Sequence, residues 1–241
     1  MMQVSVIVPA RNEEKYIERC LRALRSQRDP LEIIVVDGGS TDRTREIAEE
    51  YADVVLVEDR PRGPGAARNL GALRASGNIL AFVDADTVVS KEWSRAVIES
   101  IEGGAAGVTG PVFPLPEESS TLLDLLYAAA YEVMVRVTFL LGTPHMLGLN
   151  VAYERESFLS AGMFPEGVKV SEDVLLSMRV ASDRRLRFDV RMVAYTSARR
   201  LKSYGMSSAI YYAIWNSLKV TVTNQPVSYY GPSNPGPLCS P

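Results

Sequence analysis

Two cysteines in 241 residues, Cys20 and Cys239, are too few for a disulfide framework and lack the spacing of a zinc site. A reducing, cytoplasmic setting suits a chain built this way. His145 is the single histidine; a core or surface role accounts for it, and it is not counted as a metal ligand. Positive charge is also in short supply. Lys and Arg number 26 against 29 Asp and Glu, a net charge of -3, which gives no reason to expect a general nucleic-acid binder, since backbone affinity normally needs a basic face, although local basic clusters are compatible with it. No apolar run makes a convincing membrane span, because residues 137–153 and 203–218 are interrupted by Gly, Pro, His, Asn or Ser. Met1-Met2-Gln3 leads straight into an apolar run without the regions of a signal peptide. The chain also lacks a Gly-x-Gly-x-x-Gly turn after its first apolar run and a Walker lysine loop, which excludes a dinucleotide fold and a P-loop. What remains is an ordinary globular composition, 46% hydrophobic and 23% charged, enough for one substantial domain with a large core.

Within that chain, short β-rich runs alternate with amphipathic segments. Val4–Pro9 reads as a strand, and Asn12 as the cap of a helix that turns Tyr16, Ile17, Cys20, Leu21 and Leu24 to one face. Glu32–Asp37 is a second strand, followed by the turn Gly38-Gly39-Ser40-Thr41-Asp42 and a helix burying Ile47, Ala48 and Tyr51. Val54–Val57 is a third. The loop carrying Arg60, Arg62, Gly63, Pro64 and Gly65 opens a helix with Ala66, Ala67, Leu70 and Leu73 on one side. The apolar strand Ile79–Val83 then ends in Asp84-Ala85-Asp86. This alternation predicts an α/β fold with a mostly parallel central sheet flanked by helices.

Further on, a helix with Trp93, Val97 and Ile101 precedes a strand over 106–113, and residues 119–141 form an unusually apolar helix with Glu132 and Arg136 paired on a narrow polar stripe. That wide apolar face calls for a cover: the core, a lipid surface or a partner subunit. A strand starts near Gly148-Leu149-Asn150, and Ser171 caps a helix opening with Glu172-Asp173.

Ligands of such sheets collect beyond the carboxyl ends of the strands. Three polar groups lie there: the Pro9–Glu13 segment, Asp37, and the Asp84/Asp86 pair. On an extended chain the two carboxylates of Asp84 and Asp86 project to one side and suit magnesium or manganese shared with substrate phosphates. The bland alternative makes Asp86 a turn cap. Asp37 can accept hydrogen bonds from a base or ribose, while Arg68 and the Arg60/Arg62 loop can meet phosphates. Glu172 and Asp173 satisfy a helix dipole in one reading; in the other, Asp173 is a general base facing a cleft.

Five stretches, in order, resemble the family 2 glycosyltransferases of the type A nucleotide-sugar-binding fold. They are Val4-Ser5-Val6-Ile7-Val8-Pro9-Ala10-Arg11-Asn12-Glu13-Glu14, Val36-Asp37-Gly38-Gly39-Ser40-Thr41-Asp42, Gly65-Ala66-Ala67-Arg68-Asn69-Leu70-Gly71, Val83-Asp84-Ala85-Asp86 and Ser171-Glu172-Asp173-Val174-Leu175-Leu176. The resemblance covers about the first 200 residues. It implies metal-assisted, inverting transfer from a nucleoside-diphosphate sugar of UDP or GDP type to a sugar or lipid-linked hydroxyl acceptor. Pro9, Arg11, Glu13 and Asp37 would hold base and ribose. Asp84 and Ala85 would lie near the ribose, Asp86 with Asp84 would carry the Mg2+ or Mn2+, and Asp173 would deprotonate the acceptor, with Gly148, Asn150 and Glu172 around it. Many relatives place a histidine after the Glu-Asp helix; here the region reads Tyr195-Thr196-Ser197-Ala198-Arg199-Arg200, and Arg199 and Arg200 are the substitutes for contact with the diphosphate.

The implied organisation is a catalytic domain over 1–203, with a nucleotide-sugar half (1–113) and an acceptor half (114–203). An apolar, aromatic helix over 204–222 and an irregular tail over 223–241 follow. Tyr and Trp beside Lys202 and Lys219 suit packing on the catalytic domain or a membrane interface. A homodimer and a peripheral contact at the cytoplasmic face of the membrane both accommodate these apolar helices. Two rivals stay open. One is a synthase that loads sugar onto polyprenyl phosphate, which has no need of a Glu-Asp base; the other is a non-catalytic sugar-binding or scaffold protein.

Overall fold

A computed structural model of the chain describes residues 2–58, 62–118, 122–168, 171–199, 215 and 219–223. Arg60, Arg200, most of the 204–222 segment and the tail from 224 onward lie outside the described residues.

The amino-terminal half is built from β1 (Val4–Ala10), α1 (Ile17–Arg25), β2 (Leu31–Asp37), α2 (Thr44–Tyr51), β3 (Val54–Val57), α3 (Pro64–Arg74) and β4 (Ile79–Val83). It continues through β5 (Thr87–Val89), α4 (Trp93–Glu102), β6 (Gly107–Thr109), β7 (Val112–Pro114) and α5 (Leu122–Leu140). The remainder contributes β8 (Asn150–Glu154), α6 (Arg155–Ser160), α7 (Glu172–Ala181), β9 (Leu186–Phe188) and β10 (Ala194–Thr196). Seven strands form the main sheet in the order β3-β2-β1-β4-β8-β6-β9. Only β8 runs against its neighbours, pairing antiparallel with β4 and β6 while β1–β2, β1–β4, β2–β3 and β6–β9 are parallel. A small second sheet, β5-β10-β7, stands beside the end of β4.

Alternation along the strands sorts the core into two layers. Val4, Val6, Val8, Ile79, Ala81 and Val83 face α1 and α4 through Ile17, Cys20, Leu21, Leu24, Trp93 and Val97. Ile7, Ile34, Leu80 and Phe82 face the other way, onto Ala67, Ala72, Phe158, Phe164 and Leu176. Each fully buried Leu, Ile or Phe in these layers contributes about 1.5–3 kcal/mol. Gly71 brings α3 hard against the sheet, because a Cβ there would lie 2.5 Å from Ile7 Cγ2.

Several expected elements differ in detail. α1 starts at Ile17, and Asn12 does not cap it. Asn12 instead takes a left-handed backbone (φ 54°), which Asn tolerates better than most residues, and its Oδ1 accepts the Thr41 N–H at 2.9 Å. Leu73 points to solvent, 63% exposed. The strand expected over 106–113 is two, β6 and β7, in different sheets, with the break at Gly110-Pro111, where proline has no N–H for a ladder. Ser171 does precede α7 but in a left-handed conformation (φ 69°) and without a side-chain capping bond. α5 is not a core helix all round. Ala128, Val135 and Thr138 are buried while Leu126, Val133, Val137 and Leu140 are exposed. Glu132 and Arg136 do pair on it, and the Arg136 guanidinium lies over the Phe188 ring. His145 is buried, with Nε2 3.1 Å from Thr221 Oγ1; burial lowers its pKa to about 4 and keeps the ring neutral. Val220 packs on Val174 and Leu175, so the described part of the carboxyl-terminal segment covers α7. No helix among the described residues is long and apolar enough to cross a membrane.

Candidate active site

The carboxyl ends of β1, β2 and β4 sit side by side, as Ala10 pairs with Asp37 and Ile7 with Phe82. Beyond them the chain makes three tight turns. Pro9 is the next-to-last residue of β1, and Arg11 is exposed beside Gly38. Asp37 is almost wholly buried, and its carboxylate accepts the Ser40 N–H at 3.2 and 3.3 Å together with the Ser40 hydroxyl. Its expected role at a base or ribose therefore requires an acceptor already engaged with its own turn.

Asp84-Ala85-Asp86 is a turn rather than a continuation of β4, closed by the Thr87 N–H on the Asp84 carbonyl at 3.0 Å. The two carboxylates consequently part, contrary to the extended-chain expectation. Asp84 turns to α3, where it accepts from Arg68 Nη2 at 2.8 Å. Asp86 turns to the segment after β10, accepting from Thr196 Oγ1 at 3.3 Å and meeting Arg199 Nη2 at 3.0 Å. Ala85 packs into the core below.

Arg68 is buried, and that removes it from direct contact with a phosphate. Its guanidinium forks, with Nη2 on Asp84 and Nη1 on Glu172 Oε1 at 2.9 Å, and lies 5.4 Å from the Phe164 ring centre. Gly148 closes over it: a Cβ at that position would lie 2.8 Å from Arg68 Cζ. The Gly148 N–H donates to Asp173 Oδ2 at 2.8 Å, and the Val174 N–H to Asp173 Oδ1 at 2.8 Å. One arginine thus joins the turn after β4 to the first residue of α7, with Asp173 alongside. Burial first and the charge of Asp173 second push Glu172 up to about 7, with Arg68 opposing. Asp173 is raised as well, by removal from water, against the pull of the Gly148 N–H and Arg68. A carboxylate so held has more basic strength than one in water.

Asn150, placed by sequence in the acceptor region, belongs to the core instead. Its amide accepts the Trp93 Nε1–H at 2.8 Å and donates to the Met192 carbonyl at 2.9 Å, so it ties α4 to the far half of the sheet. Arg62 is spent on Glu58 and on Glu166 at 2.7 Å. Arg199 is the counterpart of Arg68 on the opposite side of the turn, forming a two-pronged pair with Glu13 and lying 5.1 Å from the Tyr16 ring centre. Sequence reasoning missed Thr196, and it missed Glu118, which accepts the Ser197 hydroxyl at 2.8 Å and the Ala198 N–H at 2.7 Å. No spacing signal marks either one.

Asp86 provides a hard oxygen donor already paired with the cationic Arg199, while Asp84 is turned away from it to Arg68. Among the described residues no group of three or more His, Cys, Asp or Glu side chains is gathered to hold a metal ion. The donor set therefore fits a cation of the magnesium or manganese type that takes its remaining ligands from phosphates and water, and does not fit an all-protein cage.

A mostly parallel sheet with one reversed strand, and carboxylates at the ends of its first, second and fourth strands, defines a type A glycosyltransferase fold. Residues 5–163 match the glycosyl transferase family 2 model, and the chain belongs to that family. It is 40% identical over 115 residues to glycosyltransferase AglE of Haloferax volcanii, covering 44% of this chain and 38% of AglE. It is 29% identical over 252 residues to the poly(ribitol-phosphate) beta-N-acetylglucosaminyltransferase TarS of Staphylococcus aureus, covering 93% of this chain and 41% of TarS. The chain spans about two fifths of the length of these curated relatives. Among solved structures, a TarS fragment in complex with UDP-GlcNAc superposes with a TM-score of 0.68 at 24% identity, over 94% of this chain and 68% of that one. The mannosyltransferase PcManGT of Pyrobaculum calidifontis, in complex with GDP-Man and Mn2+, gives 0.69 at 23% identity, over 95% and 66%.

Proposed function

We propose that this chain catalyses inverting, cation-assisted transfer of a sugar from a nucleoside-diphosphate sugar to a hydroxyl acceptor, with Asp173 as general base. The observation that carries the reading is the placement of Asp173. Two backbone N–H groups hold its carboxylate, its pKa is raised, and Arg68 links its neighbour Glu172 to the turn after β4. Family membership supports the reaction class. In the transfer the acceptor oxygen attacks the anomeric carbon, its proton passes to Asp173, and the bond to the diphosphate breaks with the electron pair leaving on the diphosphate oxygen. Asp86 would hold a magnesium or manganese ion, which would neutralise charge on the departing diphosphate, while Asp84, the other expected ligand, is turned away to Arg68. Pro9, Arg11, Glu13 and Asp37 would border the place for base and ribose, and among the described residues Arg199 is the cationic side chain proposed to meet the diphosphate. The relatives crystallised with UDP-GlcNAc and GDP-Man support a donor of UDP or GDP type. The buried free thiol of Cys20 fits a reducing, cytoplasmic setting.

A thermal-shift panel of nucleoside diphosphates with and without Mn2+ tests the donor half. A ligand at one hundred times its dissociation constant stabilises by about 2.7 kcal/mol, and Asp86→Ala is expected to abolish the manganese-dependent part. The absence of any manganese-dependent response in the wild type sinks the reading. Asp173→Asn is expected to keep donor binding while losing transfer by about a hundredfold or more; intact transfer would remove Asp173 as the base, and absence of transfer by the wild type would return the chain to the scaffold class.

A second reading, transfer to polyprenyl phosphate at a membrane surface, draws on the exposed Leu126, Val133, Val137 and Leu140 of α5. An ionised phosphate acceptor needs no base, so under that reading Asp173→Asn keeps its rate and transfer depends on lipid or detergent.

A further inference from the structure

Glu13, Arg199 and Asp86 form a continuous ionic chain across the mouth of the site. Both guanidinium prongs engage Glu13, and Nη2 also reaches Asp86 Oδ2 at 3.0 Å. The three side chains are unevenly exposed, Arg199 33%, Glu13 14% and Asp86 10%, so the arginine is the member with room to move and the carboxylates are fixed. Their mounting agrees with this. Glu13 is anchored by its own N–H on Thr44 Oγ1 at 2.7 Å, and Asp86 by Thr196 and by the Ser197 N–H on its carbonyl at 3.2 Å. Arg199 lies three residues beyond the end of β10 and its guanidinium rests over the face of Tyr16.

A guanidinium and a divalent cation cannot share Asp86 Oδ2, because like charges at hydrogen-bond range repel strongly wherever water is thin. A diphosphate changes the balance, since guanidinium binds phosphate oxygens at least as well as it binds carboxylates. We propose that Arg199 occupies Asp86 as an internal cation until a nucleoside diphosphate draws it away, so that Arg199 makes cation binding at this turn conditional on the nucleotide. The inference rests on the donor-site reading above and adds to it an order: nucleotide and cation enter together, and the cation alone is kept out. Linkage requires the same factor in both directions, so manganese tightens the nucleotide as much as the nucleotide tightens manganese.

The test counts free Mn2+ by electron paramagnetic resonance, titrating wild-type protein, Arg199→Gln and Arg199→Lys with manganese alone and then with uridine or guanosine diphosphate present. The wild type is expected to take up manganese at least tenfold more tightly with the cognate diphosphate than without it. Arg199→Gln is expected to bind manganese alone at least fivefold more tightly than the wild type, with the gain from nucleotide reduced by a similar factor. Arg199→Lys, which keeps the charge but cannot span both carboxylates, is expected to fall between them, and it carries the test if the glutamine variant does not fold. Manganese uptake by the wild type with nucleotide, but no gain in nucleotide-free affinity in either variant, overturns the inference and leaves the donor site standing. No uptake by any of the three proteins with either diphosphate overturns both.

Discussion

Replacing Arg68 by methionine keeps most of the side-chain volume and removes the charge that joins Asp84 to Glu172. Two charged hydrogen bonds are lost, at 2.8 and 2.9 Å, and bonds to charged groups contribute about 1.5–3 kcal/mol each. Stripping one partner from a buried ion pair costs about 3–5 kcal/mol, because the carboxylates left behind are desolvated and uncompensated. Two features hold the cost toward the lower end of that range. Asp84 retains 22% of its side-chain exposure, and Glu172, pushed up to about 7, can take a proton. A loss of about 3 kcal/mol is therefore expected, a large share of the stability of an ordinary domain. Urea denaturation at pH 7 reads it as a midpoint lowered by about 1 M or more at unchanged slope. Adding Glu172→Gln to the methionine variant removes one orphaned charge and is expected to restore about 1 kcal/mol, a coupling that independent sites do not show. A midpoint for Arg68→Met within about 0.3 M of the wild type would refute the claim that this fork holds the turn after β4 to α7.

The neighbours of the fork give further expectations. Gly148→Ala puts a methyl 2.8 Å from Arg68 Cζ, against a guanidinium that two carboxylates hold in place; overpacking of this kind costs about 1–3 kcal/mol, read as a lower thermal midpoint. Glu172 makes stability fall as pH rises. Its folded pKa of about 7 lies above the ordinary value of 4.5, so the folded chain holds a proton that the unfolded chain has released. The stability advantage of wild type over Glu172→Gln is therefore expected to be full below the unfolded pKa and to be lost as pH climbs through about 7. A difference that grows over that range in urea titrations contradicts the assignment.

The layered α/β arrangement was open to reading from sequence, because the apolar runs of β1, β2 and β4 and the helical spacing of Ile17, Cys20, Leu21 and Leu24 are local properties of the chain. So was the gathering of Pro9, Glu13, Asp37 and Asp84/Asp86 at one edge, since parallel strands with helical crossovers must end together. The partners of those residues were not. Arg68 and Glu172 are 104 positions apart, and Arg199 and Glu13 are 186 apart; no spacing rule connects them. Charge type alone suggested that Arg68 meets phosphate, whereas packing against Gly148 and Phe164 buries it between carboxylates.

Residue chemistry along the chain was thus enough to determine an α/β domain with an acidic turn after β4 and an acidic start to α7. Which acid faces which base was decided only when the chain closed. The turn at Asp84-Ala85-Asp86 ends the strand geometry that would have kept the two carboxylates together, sending Asp84 to Arg68 and Asp86 to Arg199. Buried charges accept only paired environments, and the pairs available at this sheet edge come from segments that meet in space and nowhere in sequence.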